Sequence, residues 1–217
     1  MNKPTLLKLI EEGESARVEF KQRFSDYEKI AKEIIAFANS KGGFIIVGVE
    51  DNGKIRGVLS EKGEANLLIE TAENYCLPPI DYKIHYIEIN KYEVVVLEIK
   101  ESNSKPHRIQ DYKEKFDINT AQVFIRVNDK SVPASKEMIK ILQARSSESH
   151  LTNYVISKNE RIVFEYLETH ETIAVKELED IANLSKRRAS RTLIKMVRAG
   201  LLNVHTKDNG EDYYTMS

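Results

Sequence analysis

Residues 26–53 read DYEKIAKEIIAFANSKGGFIIVGVEDNG. Ile30, Ile34, Phe37 and Ala38 recur at the spacing of one helical face, so 26–40 is an amphipathic helix whose apolar side needs a layer to cover. Gly42-Gly43 ends it. Residues 44–49 are a continuous apolar run bounded by Gly43 and by Asp51-Asn52-Gly53, the pattern of a central buried strand that turns tightly into a partner over 54–58. A helix leading through two glycines into a buried strand commits this part of the chain to layered, mixed α/β structure.

The flanking sequence extends that layer. Residues 5–12 carry Leu6, Leu7, Leu9 and Ile10 behind a Thr and before Gly13, which predicts a short helix. Residues 17–21, RVEFK, alternate charge with apolar bulk, the period of a half-buried strand, with Glu19 on its wetter face. Downstream, 60–75 reads as a helix stopped before Pro78-Pro79. Residues 82–89 and 92–99 are strands joined at Asn90-Lys91. Residues 102–120 are polar and irregular, 123–127 is a strand, and Ser135 caps a helix running through 144. The first domain is therefore 1–145.

The polar stretch RSSESHLTN has no apolar period, and a linker is placed at 146–154. Beyond it, 160–170, 175–182 and 185–199 read as three helices, and 202–205 with 213–215 flank Lys207-Asp208-Asn209-Gly210 as a hairpin. Three helices and a hairpin in this order predict a winged helix-turn-helix domain over 155–217. The fold class expected is α+β, a mixed sheet followed by that domain.

The 33 Lys and Arg against 34 Asp and Glu leave a net charge of −1, which offers no global attraction to nucleic acid and directs the search to local asymmetry. Segment 155–217 balances ten basic against ten acidic residues, yet all six charges from 185 to 199 are basic. Charge so polarised is an electrostatic footprint. Ser185 stands at the N-terminus of that helix, where N–H groups and dipole suit phosphate. Lys186, Arg187, Arg188, Arg191 and Lys195 project from it as a recognition helix projects toward base edges. A solvated basic face on a protein-interaction module is the competing reading. The single Cys76 excludes an intrachain disulfide and fits a reducing, cytoplasmic setting. No run reaches the roughly 18 apolar residues of a membrane span, and no secretory leader is visible.

Several short elements carry a family likeness. Glu14-Ser15-Ala16-Arg17-Val18-Glu19-Phe20-Lys21, then Ala36 to Gly43, Gly48 to Gly53, and Gly57-Val58 closely resemble the AlbA_2 family of Schlafen-related DNA-binding domains. The resemblance extends over 5–145, since Lys105-Pro106-His107 and Phe124-Ile125-Arg126-Val127 resemble its later elements. Asn128 stands where the family usually has Gly. The resemblance implies a transcriptional regulator with a C-terminal winged helix. It also implies a second possibility, because Glu14, Glu19 and Asp51 match the catalytic carboxylates of Schlafen-type ribonucleases.

Carboxylates facing one point can hold Mg²⁺ or Mn²⁺ and activate water at a phosphodiester. A five-residue offset sets Glu14 and Glu19 on opposite faces of a straight strand, so their convergence requires a bend near 13–15. Alternatively Glu19 pairs with a neighbouring Lys or Arg and Asp51 begins a turn. His107, with no second His at ligand spacing, reads as an exposed loop residue. Gly42-Gly43 follows a helix C-terminus, where carbonyls rather than N–H donors are free, so it is no phosphate cradle. The first expectation is a homodimeric regulator of duplex DNA without cofactor; the alternatives are a ribonuclease dependent on Mg²⁺ or Mn²⁺ and a non-catalytic interaction module.

Overall fold

The computed structural model describes residues 1–146, 154 and 156–217, and they form two compact units, Met1–Pro133 and Ala134–Ser217. In the first, α1 (Lys3–Glu12) precedes β1 (Val18–Lys21), α2 (Tyr27–Asn39), β2 (Gly43–Val47) and α3 (Glu61–Asn74). There follow β3 (Cys76–Leu77), β4 (Tyr82–Ile89), β5 (Tyr92–Ile99), β6 (Arg108–Ile109), β7 (Phe124–Val127) and β8 (Lys130–Pro133).

The central sheet has the order β1-β2-β5-β4. It is mixed: β1 runs parallel to β2 with Val18 opposite Phe44, while β2, β5 and β4 pair antiparallel. Its two faces bury different cores. Leu6 and Ile10 of α1 pack with Phe20, Ile46, Val94 and Val96 on one face. On the other, α2 and α3 bring Ile30, Ile34, Phe37 and Leu68 against Ile45, Val47, Val95 and Leu97.

Covering both faces corrects one expectation. Glu19 is not on a wet face; it is 8% exposed, because the β7–β8 hairpin lies beyond α2 and sends Arg126 to it. The expected 54–58 strand is reduced to a single bridge between Val49 and Ile55. Arg56 and Gly57 both donate to the Gly48 carbonyl, and Val58 N–H turns away to the Glu93 carbonyl, so no ladder can propagate. Gly43 is required for close approach: a Cβ there would lie 2.4 Å from the Phe37 ring and 2.6 Å from the Arg17 carbonyl oxygen.

The second unit holds α4 (Lys136–Ser146), α5 (Lys158–Leu167), α6 (Val175–Ala182), α7 (Lys186–Arg198), β9 (Leu202–Thr206) and β10 (Asp212–Met216). Strands β9 and β10 form an antiparallel hairpin, and Ile173 adds a bridge to Tyr214. Val163, Leu178, Leu193, Met196, Leu202 and Tyr214 form its core. Ile141 of α4 belongs to that same core, so the units divide at 133/134 and α4 joins the helices that follow it, where the sequence reading had ended the first domain at 145. Of the linker placed at 146–154, only Ser146 and Tyr154 are among the described residues; the rest lies outside them.

Candidate nucleic-acid interface

Helix α7 is fixed by its apolar stripe. Ala189, Leu193, Ile194 and Met196 are buried, which turns Arg187, Arg188, Arg191 and Lys195 outward, and all four are exposed, as are Lys186 and Ser185. Among the described residues none of these five cations is engaged in an ion pair. The turn before α7 is made by Asn183 in the left-handed region (φ 49°), a conformation Asn tolerates better than most side chains. Ser185 occupies the N-cap position but its hydroxyl makes no cap hydrogen bond; its carbonyl accepts from Arg188 and Ala189 N–H. The helix thus presents five exposed cations and a serine hydroxyl without a cap bond. The tip of the β9–β10 hairpin offers Lys207 beside Asp208 and Glu211, a balance that does not favour phosphate.

In the first unit the backbone supplies the bend that the carboxylates need. Gly13 has φ 82°, and Ser15 and Val18 exchange backbone hydrogen bonds across a tight turn. Glu14 is thereby folded back so that its Oε1 accepts from Phe20 N–H at 2.9 Å. Burial pushes the Glu14 carboxyl above the usual carboxylate range, the Phe20 bond opposes this, and the charges of Glu19 and Asp51 push it further up. Both other carboxylates of the set are therefore within electrostatic reach of Glu14. Asp51 is exposed in the loop after β2.

Glu19, however, is already neutralised by protein cations. Lys21 Nζ donates to its Oε1, and Arg126 Nη1 donates to its Oε2 at 3.0 Å. Arg126 is the hub of this cluster. With its side chain 1% exposed it also donates to Glu33 Oε2 at 2.8 Å and to the Ser15 carbonyl at 2.8 Å, and its guanidinium lies 4.6 Å from the Phe37 ring centroid. Burial and the neighbouring Glu19 charge push the Glu33 carboxyl up; the Ser131 hydroxyl and Arg126 hold it down. A metal ion at Glu19 would compete with Lys21 and Arg126. Among the described residues no group of three or more His, Cys, Asp and Glu is disposed to hold one.

His107 is not exposed but buried at 1%. Asn39 clamps its backbone, donating to the His107 and Phe124 carbonyls and accepting from His107 N–H. Since the Pro78 carbonyl can only accept, Nδ1 of His107 carries the proton, and Nε2 accepts from the Ser102 hydroxyl at 2.6 Å. Asn128, in place of the usual Gly, sits at φ 53° in the β7–β8 turn, so the departure keeps the left-handed conformation. Cys76 is 1% exposed, and burial pushes its thiol up to about 12, which makes it inert.

A mixed α/β unit with these elements is thus followed by a unit bearing an exposed basic helix. The sequence profile of the family described as Schlafen, AlbA_2 matches residues 14–135, more than half of the 217, and the chain belongs to that family. It is similar to the solution NMR structure of the N-terminal domain of an ATP-dependent DNA helicase RecG-related protein from Nitrosomonas europaea. That likeness is 22% in identity, covers 54% of this chain and 86% of that one, and has a TM-score of 0.42. The crystal structure of the DIP2311 protein from Corynebacterium diphtheriae is 18% identical, with 86% of this chain and 33% of that chain covered and a TM-score of 0.45; this chain spans about a third of that protein's length. A comparison with curated proteins finds no match. Among the described residues, no helix is long and apolar enough to cross a membrane.

Proposed function

We propose that the chain is a DNA-binding transcriptional regulator whose second unit acts as a winged helix, with α7 as the recognition helix and the Schlafen AlbA_2 unit adding nucleic-acid contact. The observation that carries this reading is the α7 surface: Lys186, Arg187, Arg188, Arg191 and Lys195 are exposed, carry no ion pair among the described residues, and have no acid between them. Such a face costs electrostatic self-repulsion unless an anion covers it. Membership of the Schlafen AlbA_2 family supports a nucleic-acid role for the first unit. A small reading helix gains specificity from two half-sites, so the reading includes a homodimer with two-fold symmetry.

Replacing Arg187, Arg188 and Arg191 together with Ala leaves the buried stripe untouched and should weaken duplex binding strongly. The slope of log affinity against log salt should fall by up to about 0.9 per lost phosphate contact. Unchanged affinity in the folded triple variant refutes the assignment. The ribonuclease alternative draws on the electrostatic coupling of Glu14 to Glu19 and Asp51. Cleavage of structured RNA with Mg²⁺ or Mn²⁺, lost in Glu19→Gln, would favour it over the regulator.

A further inference from the structure

Helix α4 runs beside α7, and between them lies a groove of about 690 Å³. Four of its cations come from one face of α7: Arg187, Arg191 and Lys195 at successive four-residue steps, with Arg198 one turn on. The fifth, Lys140, faces them from α4. Ser190 and Ile194 form its floor, and no carboxylate lines it among the described residues. Glu137 of α4 accepts the Ser190 hydroxyl at 2.8 Å, which ties α4 to α7. Arg187, Arg191, Lys195 and Lys140, on two helices fixed by a shared core, gather around the concavity, and among the described residues none of these four enters an ion pair, so their charge is left for an anion.

The dimensions decide how a duplex would use it. A helix with its side chains is about 10–12 Å across and packs about 8–10 Å from its neighbour, whereas the major groove of DNA is about 12 Å wide. Two packed helices cannot both enter. With α7 in the groove, α4 must meet the strand at its rim, and the concavity between the helices is where that strand passes.

We propose that α4 is part of the DNA surface: the α4–α7 groove seats one phosphate-bearing strand of the duplex, and Lys140 supplies its contact from α4. This rests on α7 binding duplex DNA as above. Lys140 is exposed, while Met138, Ile139, Ile141 and Leu142 bury the other side of α4, so its replacement removes a charge without opening the core.

The test is fluorescence anisotropy of the full chain with a labelled duplex across about 50–200 mM salt. Lys140→Gln should lower the salt slope by up to about 0.9 and weaken two unrelated duplex sequences alike, as a phosphate contact does. Lys140→Arg, which keeps the charge, should restore both. Unchanged slope and affinity in Lys140→Gln, or failure of Lys140→Arg to rescue a loss, overturns the groove assignment. Measuring the Arg187, Arg188 and Arg191 triple variant alongside separates the two ideas: if it loses binding while Lys140→Gln does not, α4 is excluded and α7 stands; if neither changes, α7 falls as well.

Discussion

Arg126→Ala tests the reading of Glu19 as a structural charge. The substitution removes a side chain that is 1% exposed and leaves two carboxylates, Glu19 at 10% and Glu33 at 18% side-chain exposure, which still have Lys21 and the Ser131 hydroxyl as partners among the described residues. Breaking a buried ion pair by deleting one partner costs about 3–5 kcal/mol, because the remaining charge is stranded. Here two charges are stranded and the Ser15 carbonyl loses its donor, which places the expected loss at the upper end, about 4–5 kcal/mol. Since whole domains are stable by only about 5–15 kcal/mol, this is about a third or more of the first unit's stability. Amide exchange at β1 and β2 reports this unit apart from the second; their protection should fall by roughly a thousandfold, a tenfold step per 1.4 kcal/mol. Glu33→Gln in the Arg126→Ala background should recover part of the loss by removing one stranded charge. A loss below about 1 kcal/mol, or no recovery, would mean that Arg126 is not what neutralises Glu19, and the carboxylate cluster would need another account.

Other outcomes follow from residues already placed. Gly43→Ala drives a methyl into the Phe37 ring and the Arg17 carbonyl and should cost roughly 1–3 kcal/mol in urea denaturation; a neutral result would show that α2 shifts freely. Burial holds the His107 imidazole below its ordinary value, assisted by Lys105 and opposed by the Pro78 carbonyl and Asp81. Its neutral form therefore stabilises the fold fully above about pH 6.5, and that contribution is lost as pH falls through the lowered folded value. Stability measured from about pH 7 to 5 should fall less steeply in His107→Asn than in the wild type, and parallel curves would refute the buried neutral imidazole.

How far these features were legible depends on the range of the interactions behind them. The helix 175–182 and the strands 82–89 and 92–99 were read at the bounds observed, because local period and the Asn90-Lys91 turn determine them. The exposure of the α7 cations was legible too, since a stripe at helical spacing fixes the opposite face. Glu19 was misread because alternation reports one strand and cannot report that a hairpin from 107 residues away covers it. His107 was misread in the same way: a polar loop looks solvated until the Asn39 side chain, 68 residues earlier, closes on it. For α4 the local reading of a helix was sound, but which unit owns it depends on Ile141 reaching a core built from residues after 158. Lys140 carried no signal of its own, since one Lys on an amphipathic helix is ordinary until α7 is set beside it.

The Arg126 pairing also bears on the order in which the chain can be made. Synthesis delivers Glu19, Glu33 and the nearby Lys21 long before Arg126, whose contacts span 107 positions for Glu19 and 93 for Glu33. Until β7 emerges, β1 and α2 carry two acids that the finished unit brings together, and bringing them together early is opposed by their mutual repulsion. The β4–β5 hairpin, with its local pairing, meets no such barrier. In a nascent chain paused before Arg126, Lys21 alone among the described cations offsets these two acids, so the approach of β1 to α2 is opposed until the guanidinium arrives.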